Sequence, residues 1–267
     1  MQNRAFEKLP EGNPMQFTKA VAACGLAFAL AACGGVQNLD ANSLKDAGSS
    51  LVKAATLSDS DIVALSNDSC KASDAESKIA PANSAYTKRL TKVMHGFGDM
   101  TLNGQKINYK VYMTKDVNAW AMGNGCVRVY SGLMDMMNDD ELRGVIGHEM
   151  GHVALGHSKK AMQTAYTVSA ARSAAGAASP GVAALSNSQL GDLTEKFINA
   201  QFSQTQESAA DDFSFDLLKQ KNMNTKGLVT AFQKLAQLDG GKSSMMSSHP
   251  SSTSRAEHIQ NRIAKGS

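Results

Sequence analysis

Two histidines four residues apart, with a glutamate directly after the first, stand at His148-Glu149-Met150-Gly151-His152. On an α-helix a spacing of four puts both imidazoles on one face, about a turn apart. Their nitrogens can then grip one Zn²⁺, and Glu149 projects beside them as a base. With 6 histidines in 267 residues, the chance expectation for this five-residue pattern is on the order of 0.004, so accident explains it poorly. The bland alternative is a pair of helix-surface histidines in a protein that holds no metal.

A catalytic zinc needs a third protein ligand and an open fourth position. The metzincin arrangement would place Gly at 155 and His at 158, but the chain has Leu155 and Ser158, which excludes it. His157 lies nine residues beyond His148, about 180° round a continuous helix, and reads as a helix-end residue or a supporting neighbour rather than a ligand. Glu207, in Gln206-Glu207-Ser208-Ala209-Ala210-Asp211-Asp212, is the better candidate. Its helix is expected to run over 192–220, with Asp192 and Glu195 as its cap. Glu207 and Asp211 share a face, so Glu207 can bind metal while Asp211 accepts the second ring N–H of a ligand histidine and fixes its tautomer. Two acidic residues four apart usually mark a solvated face, but Ala210, Ser214 and Leu218 form an inward stripe beside them.

These residues resemble the HtpX- and Ste-type gluzincin metallopeptidases, peptidase family forty-eight, through H-E-x-G-H at 148–152 and E-x-x-A-D at 207–211. Asn118-Ala119-Trp120-Ala121, then Val127 to Tyr130 and Gly132-Leu133-Met134, are similar to the strands before the family's active helix. His249-Pro250 with Arg255 resembles its C-terminal H-P-x-x-x-x-R element. The likeness covers roughly residues 80 to 265, and the N-terminal features described below are similar to its LoiP-type outer-membrane lipoprotein branch.

The resemblance implies a zinc metalloendopeptidase acting on unfolded or damaged cell-envelope proteins, a quality-control role. One Zn²⁺ per chain would be held by His148, His152 and Glu207, with Glu149 as general base. Substrate would lie extended along an edge strand near 117–122 or 126–130. His249 has two functional readings: an oxyanion donor together with Arg255, or a fourth zinc ligand that holds the enzyme latent. Its bland reading is a loop histidine before a Pro-started helix.

The elements that must position these groups are legible in outline. Ser58 with Asp61 looks like a helix cap, and Pro81 is read as opening a second helix along which Tyr86, Leu90, Val93, Met94 and Phe97 recur at helical spacing. Ile107, Tyr109, Val111 and Met113 alternate as a strand, and Val117–Met122 and Cys126–Tyr130 flank Gly123-Asn124-Gly125 as a hairpin. Further helices are expected near 139–156, capped by Asn138 with Glu141, and near 225–238 and 250–264. The Ala/Ser/Gly-rich stretch 161–190 is read as a lid or a helical hairpin, with the lid favoured. The expected fold class is α+β: a mostly helical zincin-type domain over 58–267, with a small sheet and hairpin before the helix that carries 148–152.

Ala20 to Ala32 is an uncharged run after Lys19, too short to span hydrocarbon but of the length of a secretory h-region. Leu30-Ala31-Ala32-Cys33 resembles a bacterial lipobox, so 1–32 is expected to be a signal peptide, with Met15 as its true start, and 33–57 a lipidated tether. Gly34 in place of Asp implies export to the outer membrane, with the catalytic domain in the periplasm and Cys33 anchoring it. Cys70 and Cys126 then remain as an even pair in an oxidising space, for which a disulfide is expected; two buried free thiols are the alternative. A net charge of +3 with no basic run argues against nucleic acid as a partner. The expected partners are unfolded polypeptides and the membrane. A chaperone-like, catalytically silent periplasmic lipoprotein using the same groove is the rival reading.

Overall fold

The computed structural model describes residues 57–174, 185–238, 244–249 and 252–266. The expected signal peptide, Cys33 as the expected lipidation site and nearly all of the expected tether lie outside the described residues. Leu57, assigned to the tether, is buried, and its carbonyl accepts from Gln163 Nε2.

Helix α1 (Asp59–Glu76) starts at the expected cap, where the Ser58 and Asp61 side chains each take the other's backbone N–H. Helix α2 (Ala85–His95) begins later than Pro81 implies, because Ser84 supplies the acceptor for Thr87 N–H and Pro81 falls in the preceding turn. Strands β1 (Thr101–Leu102) and β2 (Gln105–Lys106) form a small hairpin. Its turn, Asn103-Gly104, has φ of 50° and 77°, a left-handed pair that Asn and Gly tolerate best.

The main sheet has β3 (Asn108–Tyr112), β4 (Ala119–Ala121) and β5 (Cys126–Tyr130) in the order β3-β5-β4. The hairpin β4–β5 is antiparallel, as the Gly-Asn-Gly turn requires, with Trp120 opposite Arg128. Strand β3 pairs parallel to β5, Asn108 with Cys126 through Tyr112 with Tyr130. The other side of β3 is covered by residues 78–80, through Ala80 N to Val111 O and Met113 N to Lys78 O, so β4 is left at the sheet's edge.

The helices that follow are α3 (Ser131–Met136), α4 (Asp139–Ala154), α5 (His157–Ala174), α6 (Asn187–Ile198), α7 (Gln204–Gln220), α8 (Lys226–Gln237), α9 (Ser244–Ser248) and α10 (Ser252–Ala264). The single helix expected over 192–220 is two. Ser186 with Gln189 caps α6, Ser203 with Gln206 caps α7, and Asp192 and Glu195 lie inside α6 rather than at a cap. The first half of the presumed lid is the regular helix α5.

Two apolar clusters hold these elements. The larger joins α2, the sheet, α4, α7, α8 and α10 around Val127, Val129, Ile146, Met150, Leu218 and Phe232. The smaller packs Leu65, Trp120, Met122, Met162 and Phe197 around the bonded pair Cys70–Cys126, which ties α1 to β5. Between them Arg128, 1% exposed, donates from Nε and Nη2 to the two carboxylate oxygens of Asp74 at 2.8 and 2.9 Å. Lys110 and the Tyr112 hydroxyl also bond Asp74, and burial pushes the Tyr112 hydroxyl up to about 12. The fold is α+β and mostly helical, with its small sheet ahead of the helix that carries 148–152.

Candidate metal centre

Helix α4 opens with a reciprocal cap, Asn138 Oδ1 accepting from Glu141 N and Glu141 Oε2 from Asn138 N, and is buried from Gly144 through Val153. Helix α7 lies against it at a distance only small residues allow. A Cβ at Gly147 would stand 2.6 Å from Ser214 Oγ, and one at Gly151 3.0 Å from the Ala210 carbonyl. Ser214 Oγ donates to the Gly144 carbonyl at 2.8 Å, which fixes the register of the pair. That register faces Glu207, in the first turn of α7, toward the imidazoles of α4. The N-terminal end of a helix favours a carboxylate there.

His148, His152, Glu207 and His249 each bring one metal-binding atom into a group whose members all lie within 4.8 Å of one another. Four bonds of ~2.0–2.1 Å to the corners of a tetrahedron set donor atoms ~3.3–3.4 Å apart. The separations here scatter about that value. His148 Nε2 is 3.0 Å from His152 Nε2 and 3.2 Å from His249 Nδ1. Glu207 Oε1 is 3.3 Å from His152 Nε2 and 3.0 Å from His249 Nδ1, and its Oε2 is 3.6 Å from His148 Nε2. All four residues are buried. Such a cluster of imidazoles around a carboxylate fits a tetrahedral metal ion.

The supporting groups are ordered around these four. Asp211 Oδ1 stands 2.8 Å from His148 Nδ1, the ring nitrogen turned away from the cluster. Arg255 grips Asp211 through Nε and Nη2 at 2.8 and 2.7 Å, places Nη1 2.8 Å from Glu207 Oε2, and lies 4.1 Å over the Phe232 ring. Its guanidinium is thus engaged by Glu207 and Asp211 of α7.

His157 lies at the start of α5, outside the donor group, with its Nδ1 3.0 Å from His152 Nδ1, as a helix-end residue and supporting neighbour; it reaches His152 because α4 ends at Ala154 and Gly156 turns the chain at φ 76°, not along a continuous helix. One neighbour was not assigned from the sequence. The Phe202 ring, from the segment before α7, stacks on His152 at 3.9 Å. The only sequence signal for Phe202 was an aromatic residue just upstream of a helix cap.

Burial pushes the Glu149 carboxyl above its ordinary range, opposed by the nearby His249 and His148. Its Oε1 is buried without a hydrogen-bond partner among the described residues, and His249 Nε2 is 3.6 Å away. Burial would also raise Glu207, but hydrogen bonds from His152 and His249 hold it well below the usual carboxylate range. Asp211 is held low against burial by Arg255 and His148. The site therefore holds Glu207 and Asp211 low and Glu149 high.

Comparison with known proteins points to a metalloprotease family. The sequence profile of peptidase family M48 matches residues 81–263. The chain is 53% identical over 254 residues to metalloprotease YcaL of Escherichia coli, covering 94% of this chain and all of that protein. It is 52% identical over 251 residues to metalloprotease LoiP of the same organism, covering 94% and 98%. A 50-residue stretch is 48% identical to protease HtpX of Thioalkalivibrio sulfidiphilus, covering 17% of each chain.

Proposed function

The chain belongs to peptidase family M48 and is a metallopeptidase, and from that premise we propose that it is a zinc-dependent endopeptidase of unfolded or damaged cell-envelope polypeptides. The observation that carries this reading is the meeting of His148, His152 and Glu207 at tetrahedral spacing with the Glu149 carboxyl beside them. These three would hold the ion. When bound, zinc supplies a Lewis acid for the scissile carbonyl and makes water a nucleophile at neutral pH.

Glu149 takes the proton of the attacking water and hands it to the leaving amine nitrogen, a role suited to a carboxyl raised by burial. With the ion bound, Asp211 would accept the Nδ1–H of His148 and His157 that of His152, so that both Nε2 atoms, freed of any proton shared with Glu207, would point inward as lone pairs. Arg255 acts by holding Asp211 and Glu207 in place, since its donors are already engaged by these acids.

Of the two stretches named from sequence, strand β5 at 126–130 is bonded on both sides, which leaves the outer strand β4 for substrate. Its Ala119 N–H and Ala121 carbonyl are held by Asn118 Oδ1 and Ser158 Oγ, so a substrate pairing there would have to displace these side chains. Backbone pairing at an edge demands an extended, unfolded segment and tolerates many side chains.

The position of His249 Nδ1, within 3.2 Å of His148 Nε2 and 3.0 Å of Glu207 Oε1, favours its reading as a fourth ligand of a resting, latent form. That ligand must leave before a substrate carbonyl can enter. Export and anchoring through a lipid on Cys33 at the outer membrane are supported by the lipobox and by the Cys70–Cys126 bond, which belongs to an oxidising compartment. No helix of the described residues is long and apolar enough to cross a membrane.

The test is hydrolysis of unfolded casein by the wild type and Glu149→Gln, with zinc content measured on both. The reading expects equal zinc and cleavage slowed ~10²–10⁴-fold in the variant. Equal cleavage by both would sink the Glu149 mechanism, and no cleavage by either would leave the chaperone-like reading in its place.

A further inference from the structure

Helix α5 turns Ser158, Met162, Ala165 and Tyr166 inward, where they are buried. Its opposite line, Lys160, Thr164 and Val168 at a spacing of four, is exposed. Among the described residues only two large hydrophobic side chains stand well out of the protein, Val168 at 41% and Leu155 at 45% exposure, and Leu155 lies in the turn that leads into this same helix.

A lone exposed hydrophobic residue is ordinary on a protein surface, so its company decides. Lys160, Thr164 and Val168 line one open groove with Lys196 of α6. Lys159 is paired with Asp59. Lys196 donates instead to a hydroxyl, Ser169 Oγ at 2.9 Å, and among the described residues no acid pairs with it or with Lys160. Two ammonium groups beside an exposed valine favour an anionic surface with an apolar layer beneath it.

The course of the chain points to the same partner. Leu57, the first described residue, lies against α5, its carbonyl accepting from Gln163 Nε2 at 3.3 Å. The 24 residues back to Cys33 reach no farther than ~85 Å. A lipid on Cys33 would thus be joined to the folded domain at α5 and hold that helix at high effective concentration over the bilayer, where a weak contact suffices.

We propose that the exposed line of α5 docks on the surface of an anionic phospholipid bilayer, with Val168 entering the headgroup layer and Lys160 and Lys196 facing the phosphates. The proposal rests on the lipid-anchor reading above and adds an orientation to it. Each lysine brought to an anionic surface strengthens such a contact about fivefold.

The test places an environment-sensitive fluorophore on Val168→Cys in the full-length lipidated protein, on vesicles of phosphatidylethanolamine and phosphatidylglycerol. The same label on Gln220→Cys, exposed at the end of α7, is the control. Emission from position 168 should shift to the blue and be quenched by lipid spin-labelled at the headgroup, and emission from 220 should do neither. Lys160→Glu with Lys196→Glu should lower the docked-to-free ratio about tenfold or more, as should phosphatidylcholine in place of phosphatidylglycerol. Circular dichroism checks that each variant is folded. If position 168 stays in water, or both positions are quenched alike, while the protein floats with the vesicles, the docking is overturned and the anchor stands. If the protein does not float, the anchor reading fails, and titrating the labelled protein with the same vesicles still decides whether α5 binds lipid.

Discussion

Asp211 Oδ1 lies 2.8 Å from Nδ1 of His148, and that contact joins helix α7 to helix α4 at the side of the ring opposite the donor cluster. An acceptor there keeps the proton on Nδ1 and the lone pair on Nε2, and its ionised charge makes the ring a better donor. Asp211→Asn keeps the shape and loses the charge, and it also removes one of the two acids that neutralise the buried Arg255. The expected result is ~10–100-fold weaker zinc binding in competition with a chelator, with the helical content by circular dichroism retained.

The approach of α4 and α7 depends on the missing side chain at Gly147. A methyl group there meets Ser214 Oγ at 2.6 Å and its Cβ at 3.3 Å, and displaces the hydroxyl from the Gly144 carbonyl. Gly147→Ala should destabilise by ~1–3 kcal/mol in urea unfolding and lower zinc occupancy by moving Glu207. Ser214→Ala removes the closest clashing atom. The double variant is therefore expected to lose less than the sum of the singles, by ~0.5 kcal/mol or more.

Asp74 neutralises the fully buried Arg128, and although burial pushes its carboxyl up, the bonds from Arg128, Lys110 and Tyr112 leave it below the usual aspartate range. A carboxyl lowered by folding stabilises the native state above its unfolded value, ~3.9, and that contribution fades as pH falls through the lowered native value. Asp74→Asn should cost ~3–5 kcal/mol at pH 7, because the guanidinium is left uncompensated. In urea titrations the gap between wild type and variant should close as pH drops below ~4.

His249 sits against Glu207 and His148, and its NH bonds the Met245 carbonyl at the end of α9. If it is the fourth ligand of a latent form, His249→Ala opens a coordination position and casein cleavage rises. A loss of ~10²-fold or more would instead assign it to oxyanion stabilisation. Measured zinc content separates either outcome from simple loss of the ion.

The residues that carry chemistry were legible because their signals are local. Spacing of four on one helix placed His148 with His152 and Glu207 with Asp211, and Asn138 with Glu141 marked where the first of those helices starts. The β4–β5 hairpin was announced by Gly123-Asn124-Gly125. What sequence did not show depends on a chain break or on a distant partner. No Pro or Gly marks the stop between Ile198 and Gln204, so α6 and α7 read as one helix with the wrong cap. The small turn at Gly156 returns His157 to His152, which a continuous helix forbids. The parallel pairing of β3 with β5 and the burial of Arg128 on Asp74, 54 positions apart, have no local trace.

The central claim is that one zinc ion is held between α4 and α7 by His148, His152 and Glu207. Zinc X-ray absorption on the purified protein, beside Glu207→Gln, tests it most directly. The account predicts one zinc per chain with nitrogen and oxygen donors at ~2.0–2.1 Å, and loss of an oxygen donor or of the ion itself in the variant. A protein that binds no zinc, or a zinc shell that Glu207→Gln leaves unchanged, would contradict it.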